Sequence, residues 1–257
     1  MRVVCVNVGS KYADAYVERM YLMCKRYISE LDRFTCFTDR PRKASSQVEQ
    51  IDCSGWGLTG WWAKLKLFDR KVLDEEFLFL DLDQVLLKPL DPLLAYAESH
   101  REPTIIGMED FHYKTFSSNI LMVRPCESTQ GIWEAYAAGR RFHAEGRSSG
   151  DQDFIQGYAA DRGISNMLAK FPPEWFVSYK VLRKTSSGDA RRAKQALDQA
   201  LFLVFHGRPM PHEVLEPARN LAYLLRHRPL RALSYWRFLE KEIREWWCLE
   251  QGAPALK

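Results

Sequence analysis

No stretch of the 257-residue sequence reaches the ~18 consecutive apolar residues that a membrane-spanning helix needs. The start, Met1-Arg2-Val3-Val4-Cys5, has no signal-peptide pattern and runs directly into a strand-like segment, so a cytoplasmic protein is expected. Cys5, Cys24, Cys36, Cys53, Cys126 and Cys248 form no CxxC pair and no short metal-ligand spacing, and read as free, mostly buried thiols rather than a disulfide framework. The first strand turn, Val8-Gly9-Ser10-Lys11, lacks the GxGxxG that lets a backbone approach a pyrophosphate, which argues against a dinucleotide-dependent oxidoreductase. Internal repeats and low-complexity tracts are also absent. Charge of one sign is scarce: the net formal charge of +4 does not by itself point to nucleic acid.

With 46% hydrophobic and 27% charged residues the composition is ordinary for a globular chain, long enough for one α/β domain with a full core or a domain plus an appendage. An apolar strand at 2–8, a helical stripe through Tyr16, Met20, Met23, Cys24, Tyr27 and Leu31, and a second strand at 34–38 make a strand–helix–strand opening that favours a parallel sheet. A polar loop is expected from Lys43 to about Gly60, and a short helix at 61–68 carrying Lys64. Further strands are expected at 104–108 and 120–124, helices at 129–143 and from Asp151, and an apolar run at 200–205.

The segment Phe77-Leu78-Phe79-Leu80-Asp81-Leu82-Asp83-Gln84-Val85-Leu86-Leu87 interrupts a buried strand with two carboxylates. An ionised carboxylate in an apolar segment is costly unless paired, hydrogen-bonded or bound to a metal. Residues two apart in a strand share a face, so Asp81 and Asp83 converge on one ion if the strand is still extended there. The other reading is a strand ended by an Asx-type turn, with one Asp capping and one solvated. Phe205-His206-Gly207 repeats the pattern: a polar ligand where an apolar run stops. An imidazole with two carboxylates makes a partial shell for Mg²⁺ or Mn²⁺, the nitrogen favouring Mn²⁺, whereas a strand-terminal histidine bonded to backbone is the alternative.

The order of Trp61-Trp62-Ala63-Lys64, Asp81-Leu82-Asp83, Phe116-Ser117-Ser118-Asn119-Ile120, Gly150-Asp151-Gln152-Asp153 and His206-Gly207-Arg208-Pro209-Met210-Pro211 resembles the GT-A glycosyltransferases of the glycogenin and bacterial lipopolysaccharide galactosyltransferase type. The resemblance covers about residues 1–212 and implies an α/β fold with a mostly parallel central sheet flanked by helices. It further implies a retaining, metal-dependent transferase moving a hexose from a nucleotide diphosphate sugar, most commonly UDP-linked, to an acceptor. Asp81 and Asp83 with His206 would hold Mn²⁺, or Mg²⁺, on the donor diphosphate. Val6-Asn7-Val8-Gly9 would contact base and ribose, which Asp81 also reaches, and Leu82 lies in the same donor-binding segment. Lys64 would contact sugar and phosphate, and Asn119, Asp151 and Gln152 would face the transferred sugar. Asp151 and Asp153 are the candidates should a carboxylate form a covalent intermediate. Asp151 also fits the N-cap of its helix, and Asn119 a strand-edge turn.

The family carries a lysine where this chain has Met210, and Arg208, beside Gly207, is expected to supply the missing charge. A haloacid-dehalogenase-type phosphatase, with Asp81 as nucleophile and Asp83 as acid around Mg²⁺, shares the DxD. Its motif normally begins the domain, however, and is followed by Gly where this chain has Gln84. A non-catalytic nucleotide-binding member of the fold is the other alternative. From residue 213 to 257, Arg219, Arg226, Arg228, Arg231 and Arg237 alternate with leucines, tyrosines and tryptophans, split near Pro229. One or two basic amphipathic helices result, which either lie on an anionic membrane surface or pack on their own domain. No nucleic-acid partner is expected, and the acceptor is a glycan or glycolipid met by variable loops at 139–150 and 180–189.

Overall fold

The apolar run Val3-Val4-Cys5 forms the middle of β1 (Arg2–Asn7), and the helical stripe after it forms α1 (Asp14–Tyr27), acidic in its first turn and basic in its last, as the helix dipole favours. The computed structural model describes residues 1–144, 146, 148–185, 190–215, 241, 243, 244 and 247. The chain divides into two units, one comprising Met1–Val17, Glu30–Leu82 and Asp91–Pro173, the other Glu18–Ser29, Asp83–Leu90 and Glu174–Lys257.

In the first unit β2 (Arg33–Thr38), β3 (Val48–Asp52) and β4 (Phe77–Leu80) join β1 in a parallel array. The second unit begins its strands with β5 (Gln84–Leu86). The chain then returns to the first unit with α2 (Asp91–Ser99), β6 (Ile105–Glu109), β7 (Phe116–Val123), α3 (Glu127–Ala137) and α4 (Asp151–Asp161). β8 (Leu168–Lys170) closes the far edge of a seven-stranded sheet ordered β3-β2-β1-β4-β7-β6-β8. Only β7 runs against its neighbours, so the sheet is mostly parallel. β4 is buried at all four positions, as a strand covered on both faces must be. Phe77, Phe79, Leu121 and Val123 meet Leu65, Phe68, Phe154 and Ile155 in one apolar cluster, each such side chain contributing about 1.5–3 kcal/mol.

The second unit is built on a three-stranded sheet, β5-β10-β9, with β9 (Phe176–Ser178), α5 (Tyr179–Thr185), α6 (Ala190–Leu197), β10 (Phe202–Val204) and α7 (Pro211–Leu215). β10 pairs β5 antiparallel and β9 parallel. Ile243 and Trp247 are buried here, and the Arg19 guanidinium lies 4.2 Å above the Trp247 ring. The expected membrane-facing helices fall mainly on residues 216–240, outside the described residues; among the described residues no helix is long and apolar enough to cross a membrane.

Several expected boundaries shift. β3 occupies part of the stretch read as loop, because an edge strand exposed at Glu49 and Gln50 carries no apolar alternation. The apolar run 77–87 is two strands in two different sheets, with residues 82 and 83 in a bend, so the two aspartates do not share one extended strand. The helix expected over 129–143 ends at Ala137. Cys5, Cys24, Cys36 and Cys53 are free and buried, as expected, and burial, the main cause, pushes the Cys53 thiol up to about 12.

Arg42 ties the ends of β1 and β2 together, its side chain fully buried. It donates from Nε to Thr38 Oγ1 at 2.9 Å, and from Nη2 to the carbonyls of Asn7 at 2.7 Å and Gly9 at 3.1 Å and to Asp39 at 2.9 Å. Asp39 also accepts from Gly9 N at 2.8 Å. Burial alone would raise the Asp39 carboxyl, but the Gly9 hydrogen bond and the Arg42 and Arg40 charges outweigh it and hold it below its usual range. Arg42→Met takes the buried charged donor away from these acceptors and should lower unfolding stability in urea by roughly 3 kcal/mol. A carboxyl depressed in the fold stabilises it above the unfolded value of 3.8 and loses that contribution as pH falls through the folded value. The stability gap between wild type and variant should therefore narrow in acid below that pH.

Candidate functional site

At the carboxyl end of β4 a cation is buried among oxygens. Lys64 sits in the 3₁₀-helix Gly60–Phe68, which also buries Ala63, Leu65, Leu67 and Phe68; a stretch chosen for core packing therefore carries one ammonium inward. Its Nζ lies 2.8 Å from Asp151 Oδ2 and 3.4 Å from Asp81 Oδ2. It donates to Ser118 O at 3.0 Å and Oγ at 3.3 Å and stands 4.7 Å from the centre of the Phe79 ring. The Ser118 hydroxyl donates in turn to Asp151 Oδ2 at 2.5 Å. Burial would depress the Lys64 ammonium, yet the Asp151 and Asp81 charges and hydrogen bonds prevail and hold it above its ordinary value.

β7 supplies two of these contacts through an irregularity. Gly107 of β6 pairs with Leu121, but the next residue, Met108, pairs with Ser117, so residues 118–120 have no partners on β6. Such bulges re-aim side chains beside functional sites, and here Ser118 reaches Lys64 while the Asn119 carbonyl accepts from Asp81 N at 3.0 Å. Gly107 permits the close pairing, since a Cβ there would lie 2.6 Å from the Phe116 ring. At the start of α4 the roles of the two aspartates separate. Asp153 accepts from the N-cap Gly150 N at 2.8 Å, leaving Asp151, 6% exposed, for Lys64 and Ser118. The capping duty read for Asp151 thus belongs to Asp153. Gln152 lies between them, and its carbonyl accepts from Gln156 at 3.2 Å.

The amino-terminal segment forms a second part of this unit. Val6 and Val8 pack half-buried against the core, and Asn7 is fully buried at the end of β1. Among the described residues the Asn7 amide Nδ2 and Oδ1 find no hydrogen-bond partner, although its backbone carbonyl is held by Arg42 and Thr38. An orphaned buried amide is costly and calls for a partner from outside the chain.

In the second unit Phe205 N donates to Asp83 O at 2.9 Å, continuing the β5–β10 ladder by one step and placing the backbone of Asp83 beside that of Phe205, the residue before His206. His206 Nε2 lies 2.6 Å from Ser178 Oγ. Gly207 turns the chain with φ +82°, a conformation that L side chains resist, and Lys180 Nζ stands 3.5 Å from where a Cβ on Gly207 would be. Arg208 is 83% exposed and pairs with Glu213 at 3.4 Å; Met210 is buried and donates its N–H to Glu213 Oε2 at 2.8 Å. A carboxylate and an imidazole are donor types that a divalent cation accepts. Among the described residues no three His, Cys, Asp or Glu side chains are grouped closely enough to hold one.

The fold brings Lys64, Asp81 and Asp151 together in one unit, and pairs the backbone of Asp83 with Phe205, which precedes His206, in the other. Sequence reasoning assigned no role to Ser118, Ser178, Arg42 or Lys180. Ser118 was visible inside the Phe116–Ile120 motif, but nothing local marks a serine as the acceptor and donor between two charges.

No family model matches the chain, and no curated protein matches its sequence. Among solved structures it is similar to the galactosyltransferase LgtC in complex with donor and acceptor sugar analogues, at 13% identity and a TM-score of 0.54, covering 98% of each chain. It is also similar to the glycosyltransferase GlyE of Streptococcus pneumoniae, at 15% identity and a TM-score of 0.60, spanning 95% of this chain and 62% of that one. The bifunctional glycosyltransferase WbbM matches at 11% identity and a TM-score of 0.54, over 95% of this chain and 51% of its own. The chain has the GT-A fold, and a phosphatase built around Asp81 is not favoured.

Removing the buried cation tests how the cluster is held. Lys64→Met strands Asp151 without its charge partner and should cost about 3–5 kcal/mol in urea unfolding, and Lys64→Met combined with Asp151→Leu should regain most of it. A lysine held above its ordinary value of 10.5 keeps its stabilising charge below that pH and loses it as pH rises through the folded value. The wild-type advantage should thus persist at neutral pH and shrink only in strong alkali.

Proposed function

We propose that this GT-A chain is a glycosyltransferase that moves a hexose from a nucleotide diphosphate sugar, UDP-linked, to a glycan or glycolipid acceptor. The observation that carries the reading is the buried Lys64 ammonium held between Asp81 and Asp151 at the carboxyl end of β4.

In this reading the Asn7 amide meets the edge of the base. Lys64 faces the sugar and its phosphate, and Asp151, Gln152 and Asn119 orient the transferred ring. Asp83 and His206, in one unit, are residues that would hold Mn²⁺ or Mg²⁺, which when bound supplies positive charge to the departing diphosphate. The acceptor hydroxyl oxygen forms the new bond to the anomeric carbon while the bond from that carbon to the diphosphate oxygen breaks. The bonding pair leaves with the diphosphate, which takes the acceptor proton; attack from the leaving-group side retains the anomeric configuration. Little covalent work falls to the protein, so stabilising charge on the diphosphate is its main contribution.

Lys180 supplies the cation that Met210 cannot. Its ammonium stands over Gly207, next to His206, while Arg208 is exposed and paired with Glu213. Charge-assisted contacts to a phosphate are worth several-fold in affinity.

Calorimetric titration of UDP should show binding that Mn²⁺ strengthens and Asp83→Ala abolishes. Absence of UDP binding under every condition would remove the uridine form of the reading. Lys180→Met should weaken UDP about tenfold while leaving UMP, which lacks the second phosphate, nearly unchanged. An equal loss for both nucleotides would take Lys180 out of diphosphate recognition, and a tenfold loss in Arg208→Met instead would return that task to Arg208.

A further inference from the structure

Two consecutive tryptophans in the helix that carries Lys64 have opposite fates. Trp62 is spent on packing, stacked on Tyr136 at 5.5 Å between ring centres. Trp61 is 54% exposed, one of the few large apolar side chains so open among the described residues. Leaving an indole in water forfeits its large burial energy, and nothing in the packing of the core requires it there.

Its position is set by two independent observations. Trp61 and Lys64 are three apart in the 3₁₀-helix Gly60–Phe68, where residues i and i+3 eclipse one another and lie roughly 6 Å apart along the axis. The indole therefore shares the helix edge that points Lys64 into the Asp81–Asp151 cluster. Its Nε1 and Cδ1 also lie 3.7 Å and 3.9 Å from where a Cβ on Gly150 would be, and Gly150 immediately precedes Asp151. The exposed ring thus stands beside the amino-terminal end of α4, one residue before Asp151.

We infer that Trp61 is the platform of an acceptor-sugar subsite, taking the C–H face of a pyranose ring while the adjacent polar groups at Asp151 and Gln152 receive its hydroxyls. An indole combines a broad apolar face with a polar N–H, and a pyranose presents one C–H face and a rim of hydroxyls, so the two surfaces are complementary. A lipid tail would gain from the ring but would strip water from the neighbouring carboxylates, which is costly. The subsite deepens the glycosyltransferase reading and rests on it for its meaning as an acceptor site.

The test is saturation-transfer difference NMR on the full chain with methyl β-D-galactopyranoside, methyl β-D-glucopyranoside and methyl α-D-mannopyranoside as probes. Wild type should transfer saturation to the C–H face protons of at least one probe. Trp61→Ala and Trp61→Gln should lose most of that signal, and Trp61→Tyr, which keeps an aromatic face, should retain it. Thermal unfolding confirms that each variant is folded, and the Gln variant serves if the Ala variant is not. Undiminished transfer in the folded Ala or Gln variant overturns the inference, as does the absence of transfer from wild type to all three probes. UDP titration of the wild type separates the two ideas: Trp61-dependent sugar contact without UDP binding leaves the platform standing and removes the uridine-donor form of the reading.

Discussion

A buried ammonium has to be answered by opposite charge, and in this chain that requirement brings three distant segments to one point. Lys64, 4% exposed, draws Asp81 from the end of β4, Ser118 from the bulge of β7 and Asp151 from the start of α4. Each partner is costly without the others, because a stranded charge in a poorly solvated place loses several kcal/mol. The cluster therefore fixes where the sheet stops and where the helix begins. It also holds carboxylates in fixed orientation at the carboxyl end of a central strand, which is the electrostatic preorganisation a polar substrate exploits.

The second unit uses weaker constraints to similar effect. A single backbone bond from Phe205 to Asp83 extends the β5–β10 ladder past its last strand residue, and Ser178 fixes one nitrogen of His206. The positive φ of Gly207 then turns the chain away and leaves the space over it to Lys180. Met210 in the following turn is buried and serves packing, and its N–H anchors Glu213.

Much of the fold was legible because it follows from period and burial. The parallel opening of strand, helix and strand, the doubly buried β4 and the helix from Asp151 all appear at their expected places. β3 was not, since an edge strand exposed on one side needs no apolar pattern to form. The apolar run through Asp83 looked like one strand, because hydrophobicity does not record that the chain changes sheets between Leu80 and Gln84. Among site residues, Asp81, Asp83 and His206 were conspicuous as polar groups at the ends of apolar runs. Ser118, Ser178 and Arg42 were not, because their importance lies in partners 33, 28 and 35 positions away.

By itself the sequence determined which residues had to be accounted for: a lysine inside a core-packing helix, carboxylates ending a buried strand, a histidine before a glycine. Those follow from the local cost of putting charge in apolar surroundings, which any neighbouring stretch of chain reveals. Only the tertiary structure decided how they are shared out. It assigned Asp153 to the helix cap and Asp151 to Lys64, left the Asn7 amide without a partner among the described residues, and set Lys180 rather than Arg208 against Gly207. The reason is that hydrogen bonds and ion pairs are contests between competing partners over a few ångströms, and their outcome depends on which segments the sheet brings side by side.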